Sequence, residues 1–223
     1  MLLSREEGLR QSQLAYLTEA PDRGAFEETQ RLMPLADQLD VRARLPLIDI
    51  SLPALHALTP AQYDEFRQNV DALVRADQQI DLFEWSLQRI LLHDLEARRA
   101  PAGPPRVRYR TLASVQAPCE LLLSMLACAG ARSVQAATAA FEQAWQALEL
   151  PRVTLRPAED FRLDALDAAL ATLDEAAPQV KRRVLHAAVV SIGADREVTA
   201  AEAELLRAIS ASLGAPMPPL LAA

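Results

Sequence analysis

The chain is poor in aromatic residues, at 4% of the sequence, and has 6 glycines in 223 residues. Strands draw on β-branched and aromatic side chains, whereas the 51% apolar content here is carried mostly by Ala and Leu, so the composition argues against a β-rich fold and for helices. Glycine-rich phosphate loops and the Gly-x-Ser-x-Gly nucleophile elbow are both missing. The two cysteines, Cys119 and Cys128, share an apolar stretch. Their separation is about 13.5 Å along a helix, beyond disulfide reach, so they read as buried free thiols suited to a reducing compartment. No basic segment followed by an apolar one opens the sequence, so no secretion signal is read. The most apolar run, Leu121 to Ala131, has about half the length that crosses a bilayer. A chain without a transmembrane segment, in the cytoplasm, is the expectation. A net charge of -7 repels phosphate backbones unless basic residues are segregated, which argues against nucleic acid as a partner.

What the sequence does contain is legible helix punctuation. Ser4 with Glu7, Thr59 with Gln62, Asp81 with Glu84 and Thr199 with Glu202 each place a short hydroxyl or carboxylate three residues before a Glu or Gln, the capping-box pattern. Pro60 follows Thr59 at the first helical position, where its missing N–H has no intrahelical role. Caps and apolar spacing together predict an all-α fold of about ten helices, near 4–18, 23–38, 41–57, 60–75, 82–98, 111–129, 134–148, 163–175, 178–192 and 200–213. In the fifth, Phe83, Leu87, Ile90, Leu91 and Leu95 form one apolar stripe. Two proline-bearing connections, Arg99 to Pro105 and Leu150 to Phe161, separate blocks of helices. The organisation read from this is an amino-terminal helical segment 1–58, a hairpin 59–98, a loop with middle helices 99–162, and a second hairpin with a Pro-rich tail 163–223. Neither connection is a long low-complexity linker, so one compact body is expected.

Comparing the chain with itself at an offset of 118 residues lays Ala76-Asp77-Gln-Gln-Ile80-Asp81-Leu-Phe-Glu84-Trp-Ser-Leu87-Gln-Arg89 over Ala194-Asp195-Arg-Glu-Val198-Thr199-Ala-Ala-Glu202-Ala-Glu-Leu205-Leu-Arg207. Each copy reads as a helix, a tight turn plugged by an aliphatic residue, and a capped second helix. Two such hairpins, 60–98 and 178–213, can bury their apolar stripes against each other about a local twofold axis.

The repeated unit resembles the TerB-like family, whose signature runs alanine, aspartate, glycine, any residue, an aliphatic, a cap, and then glutamate and leucine at three-residue steps. Gln78 and Arg196 stand here at the family's glycine. A wider resemblance rests on Arg44-Leu-Pro-Leu-Ile-Asp-Ile-Ser-Leu-Pro-Ala-Leu55, Leu58-Thr-Pro-Ala-Gln-Tyr63, Phe83-Glu-Trp-Ser-Leu-Gln-Arg89, Glu204-Leu-Leu-Arg-Ala-Ile209 and Pro216-Met-Pro-Pro-Leu220. These segments are similar to the region that follows the protease domain in HtpX-like bacterial membrane zinc metallopeptidases. The resemblance implies a noncatalytic regulatory or protein-interaction module of such an enzyme in protein quality control. Its partners would be the metallopeptidase domain and other proteins, on the cytoplasmic face of the inner membrane. The alternative it implies is a standalone TerB-like cation-binding stress protein.

The family's zinc motif, H-E-x-x-H, does not occur; His56, His93 and His186 are isolated. His93 and Asp94 are neighbours on a helix and diverge by about 100°, which argues against a catalytic pair. Ser124 and Cys128 lie in an apolar helix and read as packing residues, so no catalytic residue and no resident cofactor are assigned. The only candidate ligands are carboxylates of the repeat: Asp77, Asp81 and Glu84 in one copy, and Asp195, Glu197 and Glu202 in the other. They could hold a calcium-like cation, but their spacing departs from an EF-hand loop, and helix capping accounts for them more simply. Finally, Arg98, Arg99, Arg106, Arg108 and Arg110 fall within thirteen residues that contain no acid. Such a stretch can rest on anionic lipid or a partner; a solvated loop paired with nearby carboxylates is the plainer expectation.

Overall fold

A computed structural model of the chain describes residues 3–4, 6–20, 23–40, 43–76, 82–99 and 106–215. These residues form ten α-helices and no strand. The chain divides into two compact units, Met1–Arg98 and Arg99–Ala223.

The first unit carries α1 (Glu7–Glu19), α2 (Arg23–Asp37), α3 (Arg44–Leu55), α4 (Pro60–Arg75) and α5 (Leu82–Arg99). α1 packs on α2 and α4. Its buried Gln13 accepts from the Ser4 amide at 2.8 Å and donates to the Leu73 carbonyl at 2.9 Å, which ties α1 to α4. Arg10 clasps both oxygens of Asp37 at 2.7 and 3.0 Å and holds the end of α2. α4 opens with the expected box: Thr59 accepts from the Gln62 amide while Gln62 reaches back to the Thr59 amide. On α5 the stripe Leu87, Ile90, Leu91 and Leu95 is buried, but so are Trp85 and Ser86, so its buried face is wider than that stripe. Ser4 is a correction, because α1 begins at Glu7 with Glu6 as its N-cap. The Ser4 hydroxyl accepts the Glu6 amide at 3.1 Å, so it closes a turn ahead of the helix instead of capping it.

The second unit is built around α6 (Gln116–Gly130), against which α7 (Val134–Leu148), α8 (Leu163–Asp174), α9 (Pro178–Ile192) and α10 (Ala200–Ser212) all pack. α6 is preceded by a 3-10 turn over Leu112–Val115, where a continuous α-helix was expected. Pro118 explains this: it has no N–H for the Ser114 carbonyl, and its ring crowds that turn. Taken together, Leu112–Gly130 spans 19 residues and holds an 18-residue stretch with a mean hydropathy of 1.5, enough in length and composition to cross a bilayer and longer than the run picked out in the sequence. Here it is the core helix of the unit, with Cys119 and every residue from Leu121 to Ala127 buried. α7 buries Ala137, Ala140, Phe141, Ala144, Trp145 and Leu148, an apolar stripe at helical period. Phe141 and Trp145 stack at 5.6 Å, and the Trp145 indole donates to the Pro151 carbonyl at 2.9 Å. The segment after α7 is thereby strapped across the core: the Arg156 amide donates to the Ser124 hydroxyl at 3.2 Å and its guanidinium to Glu120 at 2.9 Å. Of the two hairpins expected to share a core, α4–α5 lies in the first unit and α9–α10 in the second.

Candidate functional site

α10 opens on Thr199 and Glu202, and the sequence-level box is present in full. The Thr199 amide and hydroxyl both donate to Glu202 Oε2 at 2.8 Å, and the Glu202 amide donates to Thr199 Oγ1 at 3.2 Å. Unlike a surface cap, Glu202 is only 5% exposed. Its carboxylate lies against Gly130, the last residue of α6, where a Cβ would fall 1.8 Å from Oε1 and 2.3 Å from Cδ. Gly130 therefore serves as the seat of the carboxylate.

Beside this contact a cleft of about 240 Å³ opens between α6, α7, α9 and α10. Its walls are mostly methyl groups, among them Ala127, Ala136, Ala139 and Ala140, and its polar lining comes from Gln143, Ser191, Asp195 and Glu202. Ser191 is 3% exposed, and its hydroxyl has no hydrogen-bond partner among the described residues. A buried hydroxyl without a partner loses its water without compensation. The last turns of α6 and α9 border the same space. The first turns of α7 and α10 border it as well, through Ala136 and Glu202, so helix ends of both signs meet there beside the two carboxylates.

Of the repeat carboxylates, Asp195 and Glu202 are brought to one cleft. Glu197 is not: its carboxylate meets Arg132 at 2.9 Å, while its amide donates to Asp195 Oδ1 at 3.0 Å. Asp77, Asp81 and the side chain of Glu84 lie outside the described residues. Among the described residues no group of three or more His, Cys, Asp or Glu side chains is arranged to hold a metal ion. Gly130, Ser191 and Gln143 were not singled out in the sequence, because nothing local marks which helix faces meet. Arg196 has φ of 66°, the left-handed conformation that glycine adopts most readily.

The histidine chemistry differs from the pairing weighed in the sequence. Asp94 is met by His56 from the end of α3, Nε2 to Oδ2 at 2.6 Å, across two helices of the first unit. Farther along α5, Glu96 faces Tyr63 and Arg67 of α4. Ser124, accepting the Arg156 amide, is a buried strut. Burial pushes the Cys119 thiol up to about 12 and raises that of Cys128, which is half-buried, so neither has the lowered pKa of a nucleophile.

Arg106, Arg108 and Arg110 are exposed. Arg108 lies 3.8 Å from Glu175 and stacks over Tyr109, while backbone bonds from Arg108 and Tyr109 to the Glu175 carbonyl pin this stretch to the α8–α9 turn. The side chains of Arg98 and Arg99 lie outside the described residues. No protein-family model, curated protein or solved structure matches the chain.

Proposed function

We propose that the chain is a noncatalytic recognition module, a TerB-like helical region that works beside an HtpX-like membrane zinc metallopeptidase in protein quality control. The observation that carries the recognition role is the cleft of the second unit, with walls mostly of alanine and a polar lining from Gln143, Ser191, Asp195 and Glu202. The link to the metallopeptidase rests on the sequence resemblance. The exposed Arg106, Arg108 and Arg110 favour a place at an anionic membrane face. The test reconstitutes the HtpX-like metallopeptidase of the same genome in vesicles with a misfolded membrane protein. The added chain should bind the enzyme and change the rate of cleavage, while hydrolysing neither casein nor small esters by itself, with or without zinc. Hydrolysis by the chain alone that disappears when one of its own residues is changed would overturn the noncatalytic role. Failure to bind the enzyme would overturn the association.

A second reading, a standalone TerB-like cation-binding stress protein, is favoured by one observation: Asp195 and Glu202 line the same cleft. Its signature is a calcium-dependent rise in Tm that vanishes in Asp195→Ala.

A further inference from the structure

We propose that the first unit binds a single-chain lipid with an uncharged head, its alkyl chain in the cavity between α1, α2, α3, α4 and α5 and its head at Ser51, Thr29 and Asn69. This site lies in the unit that the recognition role above does not use, and it stands independently of that role.

The cavity measures about 380 Å³, within the roughly 300–1,000 Å³ of small-molecule pockets. All five helices of the unit contribute to its lining. Its floor is apolar and closed to water: Leu17, Ile48, Val70, Leu87 and Leu91 are all buried. Leu3 adds a wall ahead of α1 and is held there through Ser4, whose amide donates to the buried Gln13 at 2.8 Å and whose carbonyl accepts from Arg10 Nε at 2.6 Å. Side chains that face empty space forfeit dispersion contacts on that side, and water needs several polar partners that hydrocarbon walls do not supply. An alkyl chain meets both conditions.

The two helices on one side of the space have little core of their own. Among the described residues α2 buries none and α3 buries only Ile48. Ala25 and Thr29 of α2 line the cavity instead, as do Ile48, Ser51 and Leu55 of α3. A chain laid between these helices and the floor would give them the apolar contact that the protein itself does not.

The head group follows from the polar part of the lining. Ser51 is the exposed residue of the lining and marks the mouth, while Thr29 and Asn69 are half-buried. The Ser51 hydroxyl donates to the Ile48 carbonyl at 2.8 Å and can still accept, and the Asn69 amide offers both a donor and an acceptor. No acidic or basic side chain lines the cavity, so a charged head drawn into it would lose water without a counter-charge. Beside Ser51 on α3, Leu47 and Ile50 are exposed, Ile50 at 74%, and none of that helix's exposed described residues is charged. An alkyl chain leaving a bilayer or micelle would therefore meet an apolar lip at the mouth.

The experiment is calorimetric titration of the full chain with 1-hexanol, 1-octanol and 1-decanol below their solubility limits, and with decanoate. Saturable one-to-one binding of the alcohols is expected, tightening about three- to fourfold per methylene from hexanol to octanol. Decanoate should bind at least about tenfold more weakly than decanol. Ala25→Phe fills the space from α2 and Ser51→Phe covers the mouth; neither position is buried, so each variant should keep its helical circular dichroism and lose at least about tenfold in octanol affinity. The proposal is overturned if the folded wild type binds no alcohol saturably, if hexanol and octanol bind alike, or if both variants bind octanol undiminished. Decanoate binding as tightly as decanol would overturn the uncharged head. None of these outcomes touches the metallopeptidase association, which the vesicle experiment decides separately.

Discussion

The carboxylate of Glu202 lies where the side chain of residue 130 would have to be, so that a Cβ on Gly130 would meet Oε1 at 1.8 Å and Cγ at 2.9 Å. One glycine thus joins the end of α6 to the start of α10. It lets a charged group that caps one helix be buried against another.

Gly130→Ala should therefore destabilise the protein although alanine is the better helix former. Glu202 must leave its place, which breaks the box with Thr199. The net loss expected in urea unfolding is about 1–3 kcal/mol, the cap and a displaced buried carboxylate outweighing roughly 1 kcal/mol of helix propensity. In a Glu202→Ala background the same change should be neutral or stabilising. A double-mutant cycle with no coupling between the two positions would refute the contact.

Arg196 occupies left-handed backbone with φ of 66°, and its amide donates to the Gly193 carbonyl at 3.1 Å within a tight turn. Such a conformation costs a residue with a Cβ about 1–2 kcal/mol, part of which glycine gives back through its freer unfolded state. Arg196→Gly should raise stability by about 0.5–1 kcal/mol, and Arg196→Val should lower it. A glycine variant less stable than the wild type would show that the arginine side chain contributes more than the strain removes.

These cases show which parts were legible in the sequence. The starts of α4 and α10 could be read because a capping box is spelled within four residues, and Pro60 sharpens the first. Ser133 went unread as a cap, although its hydroxyl accepts the Ala136 amide at 3.2 Å, because alanine at the third position leaves the box one-sided. His56 with Asp94 and Gly130 with Glu202 were out of reach, since each pairing depends on which faces of distant helices meet. The 3-10 turn before α6 was readable in principle from Pro118.

Cys119 is fully buried and Cys128 half-buried, so a thiol reagent at pH 8 should label Cys128 first and Cys119 only through unfolding. The folded state holds the Cys119 proton up to about 12, whereas an unfolded thiol releases it near 9. Unfolding between these values sheds a proton, so stability falls as pH rises through that window and is intact below it. The slope attributable to this group is roughly 1.4 kcal/mol per pH unit at most. It should be missing in Cys119→Ala, and equal alkaline slopes for the two proteins would contradict the assignment.

The two capping boxes among the described residues differ in setting, and that difference predicts their energies. Thr59 and Gln62 are exposed, and the Gln62 amide to Thr59 Oγ1 distance is long, at 3.4 Å. Thr59→Ala should then lose about 0.5–1 kcal/mol, as for an ordinary surface cap. Thr199→Ala removes a hydroxyl that donates to a carboxylate only 5% exposed, leaving a charge with fewer partners away from water. The expected loss is about 1–2 kcal/mol. If Glu202 acts chiefly as a cap, calcium will change neither value. If Asp195 and Glu202 hold calcium, the metal will raise the Tm of the wild type by mass action, and Thr199→Ala, which keeps both carboxylates, will share in that rise. We expect the first result, since Glu202 Oε2 already accepts two bonds and the cleft is walled by methyl groups. Thermal unfolding of the wild type, Thr59→Ala and Thr199→Ala with and without calcium decides it. A calcium-dependent rise in Tm abolished by Asp195→Ala would reverse the assignment.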